Sequence, residues 1–510
     1  MRRRRLIVLV VAMTAIVGAG AFAVFAAERV KGSAAGTAAA YFAAWSKGDV
    51  LGMERLVHQP PADFVPRHRA LSEELHVESI ALTPGPLRRT GEETAEVPFA
   101  GVRRLAELGP WPFDGTLRLA VRDRAWKVLW TPETLHPLLK DGARLELGEI
   151  KTTSAEFVTS EGDRIPHDSY ADAYLDPLKP EFAEARSGWE LLLKTPGQPD
   201  RSLLSKKPAA NVERTTLSRS VQAAAARALD AVDDSTIVVV RPSTGEILGL
   251  ADRLKDNYSA VRDVFPPGSV FKTVTAAALL QQGLDPLAEV PCPGSYTVPG
   301  FRTIRNDGEV DRGTVTFTDA FAHSCNTTFV EQATSRLTSA ALAETAAAWG
   351  FGRQVVTGIG GSCGTVPVTE SVDTFAEDVI GQGEVVTTPL CMAALAAAVQ
   401  SGTWRSPRLL SKEQVRRVDG VTSEDVRMDE RVVPALRDMM AAVVDHGTAS
   451  GMGLPAGVSG KTGTAETPDG GPHAWFIGYR GDLAFCVFVR HGGSGRGAAV
   501  PIAVRFLNGL

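Results

Sequence analysis

The sequence predicts a multidomain α+β chain, and three observations carry that reading. The first is length: 510 residues exceed what a single hydrophobic core ordinarily serves. The second is strand-like patterning in two separate regions. It occurs at residues 93–99, 115–121 and 125–130, and again at 235–241, 247–251, 475–479 and 483–489. The third is a set of Ala-rich helical runs between those strands, such as residues 219–231 and 273–280.

Composition narrows the function classes. Hydrophobic residues make up 44% and charged residues 22%, as in ordinary globular chains. A net charge of -5 argues against a general nucleic-acid binder. Five cysteines are too few for a disulfide scaffold, and no CxxC, HExxH or Cys/His spacing suggests a metal site. No cofactor is implied.

The N-terminus bears on location. Arginines at positions 2–5 precede an uncharged, mostly apolar run over residues 6–27. At 1.5 Å per residue that run spans about 33 Å as a helix, enough for a hydrocarbon core. Clustered arginines stay on the cytoplasmic side, so residues 1–5 form a cytoplasmic tail and everything after Glu28 lies outside. The competing reading is a cleaved signal peptide, because small residues near 21–27 could form a cleavage site. The run is longer than a usual signal core, which favours a retained single-span anchor.

Residues 33–139 read as a small α+β domain. A helix is expected at 38–45, a second amphipathic stretch at 51–57, and strands follow. It offers no nucleophile–base pair, so it is expected to act as a spacer. Residues 140–215 are rich in proline breakers and read as a linking subdomain with one helix near 180–194. The large C-terminal domain, 216–510, opens where Thr215-Thr216-Leu217-Ser218 caps a long helix over 219–231. A hairpin then turns at Pro242-Ser243-Thr244-Gly245-Glu246.

Three short segments in that domain carry chemistry. In Ser269-Val270-Phe271-Lys272, a Ser and a Lys three apart at a helix start share one face. A serine hydroxyl needs a base within hydrogen-bond reach, and a lysine serves if desolvation or positive charge lowers its pKa. The preceding Phe265-Pro266-Pro267-Gly268 reads as a turn into that helix, whose N-terminus favours developing negative charge. In Ser324-Cys325-Asn326, the hydroxyl can relay a proton to a leaving amine and the amide can hold Lys272 and a substrate. In Lys461-Thr462-Gly463-Thr464, an edge strand presents a cation for a substrate carboxylate. Gly463 permits close backbone approach there. Each segment alone also fits an ordinary polar helix end or strand end.

The ordered set SxxK, SxN and KTG is far more specific than any member. With it, the chain resembles the penicillin-binding transpeptidase family. Further blocks extend the likeness: Gly381-Gln382-Gly383, His446-Gly447-Thr448-Ala449 and the turn at 242–247. The N-terminal domain, with Trp126-Lys127-Val128-Leu129-Trp130 and then Pro132, resembles the NTF2-like domain that precedes some transpeptidase domains. The resemblance implies a penicillin-binding, serine β-lactamase-like fold: an antiparallel sheet flanked by helices plus an all-helical lobe, behind an NTF2-like cone and a linker.

It also implies function. A class B-like peptidoglycan D,D-transpeptidase would use Ser269 as nucleophile, Lys272 as base, Ser324 as proton relay and Asn326 as positioner. Lys461, Thr462, Gly463 and Thr464 would bind the substrate carboxylate, with backbone N–H groups of Ser269 and Thr464 as oxyanion hole. The implied partners are D-Ala-D-Ala stem peptides, β-lactams as covalent inhibitors and a membrane-embedded glycan polymerase. The alternatives are a D,D-carboxypeptidase or β-lactamase using the same residues, and a non-enzymatic penicillin sensor or scaffold. Two departures stand out. Cys325 occupies a position where the family often has Ser or Asp; since only its neighbours carry the chemistry, no loss is expected. The linker lacks the usual Arg-Gly-x-Ile-x-Asp-Arg-x-Gly segment, with 160–165 as a remnant. Separately, Cys292 and Cys363 lie in Gly/Pro-rich loops and are the candidate disulfide pair, a pairing the sequence leaves open, while Cys325, Cys391 and Cys486 in apolar runs read as buried thiols.

Overall fold

The computed structural model describes residues 30–254, 259–300, 302–468 and 470–510. The expected anchor at 6–27 lies outside the described residues. Among the described residues, no helix is long and apolar enough to cross a membrane. The chain divides into two compact units, each with its own hydrophobic core.

The first unit packs helices on an antiparallel sheet. Its strands run in the order Val77–Pro84, Thr94–Leu105, Gly109–Arg122, Ala125–Val128, with Arg88–Arg89 added to the second. Alternation decides which face is buried: Ala95, Val97, Phe99 and Leu105 point inward while Ala100, Val102 and Arg104 are exposed. Helix Ala34–Ser46 starts where the Ser33 hydroxyl accepts from the Gly36 N–H. It buries Tyr41, Phe42 and Trp45, and the rings of Phe42 and Trp45 meet Phe99 edge-on at 5.2 and 5.6 Å.

Residues 140–215 divide between the units: 140–153 and 184–210 belong with the first, and 154–183 and 211–215 with the second. The helix expected near 180–194 is corrected. Only Lys179–Phe182 is helical, and Glu184–Lys194 is a strand paired antiparallel with Arg201–Lys206. Gly188 and the period-two burial of Leu191 and Leu193 decide it, outweighing the helix-forming charges before them.

The second unit is built on a five-stranded antiparallel sheet. Its order is Ile247–Asp252, Ser235–Val240, Leu483–Val489, His473–Arg480, Ser459–Ala465. Ser235–Val240 is buried on both faces, which is why it reads as a continuous apolar run. Helix Pro389–Ser401 is capped by Thr388, has proline in its first turn, and is buried from Pro389 to Val399. Its many alanines suit close packing on the sheet. Helix Lys272–Gln281 is likewise buried through its first eight positions, Lys272 to Leu279. The sheet thus carries the Lys461 strand at its edge, and the buried helix carries Lys272 at its start.

Candidate active site

Ser269 lies in a single tight turn, Gly268–Phe271, that feeds the Lys272–Gln281 helix. Gly268 takes φ 55°, and a Cβ there would collide with the Thr464 carbonyl. Its N–H donates to the Gly381 carbonyl at 2.8 Å. Gly463 is also tightly packed: a Cβ would lie 2.9 Å from Val270 and 3.0 Å from the Pro267 carbonyl. The close approach that Gly463 permits is therefore used by the serine turn itself. The edge strand and the turn are pressed together, backbone to backbone.

The structure brings Ser269, Lys272, Ser324, Asn326 and Lys461 into one hydrogen-bonded cluster. Lys272 Nζ donates to Ser269 Oγ at 3.1 Å, to Asn326 Oδ1 at 2.6 Å and to the Ser324 carbonyl at 2.7 Å. It also lies 3.3 Å from Ser324 Oγ. Lys461 Nζ donates to the same Ser324 Oγ at 3.0 Å and to the Thr462 carbonyl at 2.9 Å. Both lysines are fully buried. Burial first, and then the Lys461 charge, hold the Lys272 amine well below its ordinary pKa. Burial pushes Lys461 down to about 7. Among the described residues neither amine has a carboxylate partner, so the site favours the neutral form of at least one.

Thr462 and Thr464 complete the edge. Thr462 Oγ1 is 2.5 Å from Thr448 Oγ1, and Thr464 Oγ1 accepts from the Gly495 N–H at 3.3 Å. Phe321 and Phe329 place ring faces 5.5 Å from Lys461 Nζ and 5.6 Å from Lys272 Nζ. Motif reading did not assign these rings, nor Thr448 or Gly381 as supports. The signal for the last two was present, in the His446-Gly447-Thr448-Ala449 and Gly381-Gln382-Gly383 blocks.

The cysteine expectation is corrected here. Cys292 is bonded to Cys325 and Cys363 to Cys391, with Cα separations of 6.0 and 4.9 Å. Cys292 and Cys363 therefore do not pair, and only Cys486 is the buried free thiol expected of it. Strand register explains the outcome. Glu289–Pro291 pairs antiparallel with Thr314–Thr316, which leads directly into helix Phe317–Ala322 and then Cys325. Thr365 pairs with Val386, which brings Cys363 toward the helix that carries Cys391.

A half-buried serine bonded to a buried lysine, facing an interhelical serine and a sheet-edge lysine, is the geometry of serine acyl transfer. The penicillin binding protein transpeptidase domain family matches residues 235–508, and the NTF2-like N-terminal transpeptidase domain family matches residues 33–143. The chain belongs to the penicillin-binding protein transpeptidase family, in its class B form with an NTF2-like N-terminal domain. Among curated relatives, it is 29% identical over 353 residues to the peptidoglycan D,D-transpeptidase PbpA of Mycolicibacterium smegmatis, covering 56% of this chain and 70% of that one. It is 32% identical over 285 residues to the penicillin-binding protein PbpB of Mycobacterium tuberculosis, covering 49% and 41%. Among solved structures, the imipenem acyl-enzyme of penicillin-binding protein A from M. tuberculosis aligns with TM-score 0.51 at 25% identity, over 60% of this chain and 80% of that one. The D,D-transpeptidase domain from Eggerthella lenta aligns with TM-score 0.54 at 21% identity, over 70% and 98%, and shares the fold.

Proposed function

We propose that this protein is a peptidoglycan D,D-transpeptidase that works through a serine acyl-enzyme and is inhibited covalently by β-lactams. Ser269 Oγ attacks the carbonyl of the penultimate D-Ala of a stem peptide while neutral Lys272 takes its proton. The C–N bond to the terminal D-Ala breaks, and Ser324, lying between the two lysines, relays a proton to the leaving amine. Asn326 orients Lys272 and the substrate amide. Lys461 in its charged form, with Thr462 and Thr464, holds the terminal carboxylate. The N–H groups of Ser269 and Thr464 form the oxyanion hole. An amine of a neighbouring stem then attacks the ester and regenerates Ser269. None of these steps requires a metal or cofactor.

The observation that carries this reading is Lys272 Nζ, fully buried and within hydrogen-bond reach of Ser269, Ser324 and Asn326 together. The arginines at 2–5 before the apolar run at 6–27 support a single-span anchor with both units outside the membrane. A membrane-embedded glycan polymerase is the natural partner, because cross-linking needs a glycan strand already made. The test is intact mass after benzylpenicillin, with the modified peptide mapped, followed by incubation with a pentapeptide stem and an amine acceptor. An adduct on Ser269 and cross-linked product support the reading. Hydrolysis alone would make the protein a D,D-carboxypeptidase, and an adduct with no turnover would make it a sensor.

A further inference from the structure

Ser324 takes φ 60°, in the left-handed region that side-chain-bearing residues rarely adopt. Something must hold it there. On its N-terminal side the end of helix Phe317–Ala322 closes normally: Ser324 N–H donates to Phe321 and Cys325 N–H to Ala320, at 3.0 and 2.9 Å. On the other side Cys325 is the N-cap of helix Asn326–Arg336, yet its side chain makes no capping hydrogen bond. A Ser or Asp at this position could have capped that helix itself. Cys325 instead spends its side chain on the bond to Cys292.

The missing cap comes from Asn306. Its Oδ1 accepts from the Thr327 N–H at 3.2 Å, in the first turn of that helix, and from Thr327 Oγ1 at 3.3 Å. Its Nδ2 donates to the carbonyls of Pro293 and Val310 at 2.8 and 3.1 Å and lies 3.5 Å from Cys292 Sγ. Thr327 and Thr328 donate to the carbonyls of Pro293 and Pro291, on either side of Cys292. Asn326 Nδ2 donates to the Arg305 carbonyl at 2.8 Å, which turns its Oδ1 toward Lys272. The segments around Cys292 and Asn306 thus grip the Ser324-Cys325-Asn326 loop through one covalent bond and several hydrogen bonds.

We infer that Cys292, Cys325 and Asn306 are positioning residues for acylation, clamping Ser324 and Asn326 against Lys272. The inference rests on the roles proposed above for those three groups. It changes the reading of Cys325: this position is chemically silent but geometrically active. Loosening the loop admits water to Lys272. Its facing groups are Ser269, Ser324 and Asn326, with Lys461 its charged neighbour. Hydration raises a desolvated amine's pKa, so the acid limb of acylation moves to higher pH.

The experiment measures the second-order rate of labelling by a fluorescent penicillin against pH. It compares the oxidised full-length protein, the same protein reduced with a phosphine, and the Cys292→Ala/Cys325→Ala and Asn306→Ala variants. A Cys363→Ala/Cys391→Ala variant retains only the first bridge and serves as control. Misplacing the loop is expected to slow labelling about ten- to a hundred-fold and shift the acid limb upward, in the reduced protein and in both clamp variants. The control should keep the wild-type limb until it is reduced, and reoxidation of the reduced protein should restore the rate. If the double variant does not fold, the reduced and reoxidised wild type, with thiols mapped by alkylation, decides the matter. Rates within twofold of the oxidised protein overturn the inference. So does slower labelling with an unmoved limb, which would mean the bridge maintains only the general fold. Wild-type protein that never labels at Ser269 would overturn the proposed function, and this inference with it.

Discussion

Ser324 Oγ lies 3.0 Å from Lys461 Nζ and 3.3 Å from Lys272 Nζ, so one hydroxyl joins two buried amines. Two ammonium groups cannot share so small and dry a space at low cost. The proposed mechanism separates their duties: Lys272, lowered both by burial and by the Lys461 charge, serves as the neutral base, and Lys461, lowered by burial alone, serves as the cation.

Acylation should therefore be bell-shaped in pH. Lys272 must lose its proton, which sets the ascending limb. Lys461 must keep its proton to attract a carboxylate, and in the free protein it gives it up near pH 7. The second-order labelling rate should fall as pH rises through about 7, because that rate reports the free enzyme. Lys461→Gln should lower it about ten- to a hundred-fold at neutral pH, the loss of one charge-assisted hydrogen bond of ~1.5–3 kcal/mol. It should also abolish the descending limb; a limb that survives the substitution would assign it elsewhere. Stability runs the other way. An unfolded lysine holds its proton up to 10.5 and Lys461 only to about 7, so between those values the unfolded chain binds more protons. The contribution of Lys461 to stability then grows with pH across that window.

Ser269→Ala should abolish penicillin labelling without changing the thermal unfolding midpoint. Lys272→Ala should slow labelling by roughly a hundred- to ten-thousand-fold, the usual cost of losing a general base. A covalent adduct on the Ser269→Ala protein would refute the nucleophile assignment.

Gly268→Ala tests the junction between serine turn and edge strand. The new Cβ would sit at φ 55° and press on the Thr464 carbonyl. Strain of about 1–3 kcal/mol is expected. The turn can relax only by moving Ser269 away from the Lys461 strand. Labelling should therefore fall by more than the loss of folded protein accounts for. Measuring both on one sample checks this, and proportional losses would mean the junction matters for stability alone.

Much of the site was legible because its signals are local. The three-residue spacing of Ser269 and Lys272 needs only a helix start, and the Lys461 segment needs only a strand. The apolar run at 235–240 likewise announced a strand, and the structure places it inside the sheet. What stayed hidden depends on register between distant segments. That Cys325 meets Cys292 follows from the pairing of Glu289–Pro291 with Thr314–Thr316, which no local pattern encodes. Thr448 meets Thr462 only once helix Val432–Asp445 has packed beside the edge strand. The strand Glu184–Lys194 was misread because its first half carries charges and a proline precedes it, while its alternation is confined to its last residues, around Leu191 and Leu193.

The two units should fail separately. The first has its own core, which includes Leu145, Leu191 and Leu193 as well as Phe99. None of the eight residues assigned to the site lies in it. Truncation before residue 140 would strip those leucines of their partners, so a core substitution is the cleaner probe. Phe99 is 4% exposed and meets Phe42 and Trp45 edge-on. Phe99→Ala should cost about 3–5 kcal/mol in that unit alone. Calorimetry should then show an early transition that wild-type protein lacks, with the later one unmoved. At a temperature between the two, Ser269 should still label at the wild-type rate, because the groups proposed for acyl transfer lie between Ser269 and Thr464 in the other unit. Loss of labelling in step with the early transition would show instead that the N-terminal unit shapes the catalytic cleft, and the spacer reading of that unit would have to be abandoned.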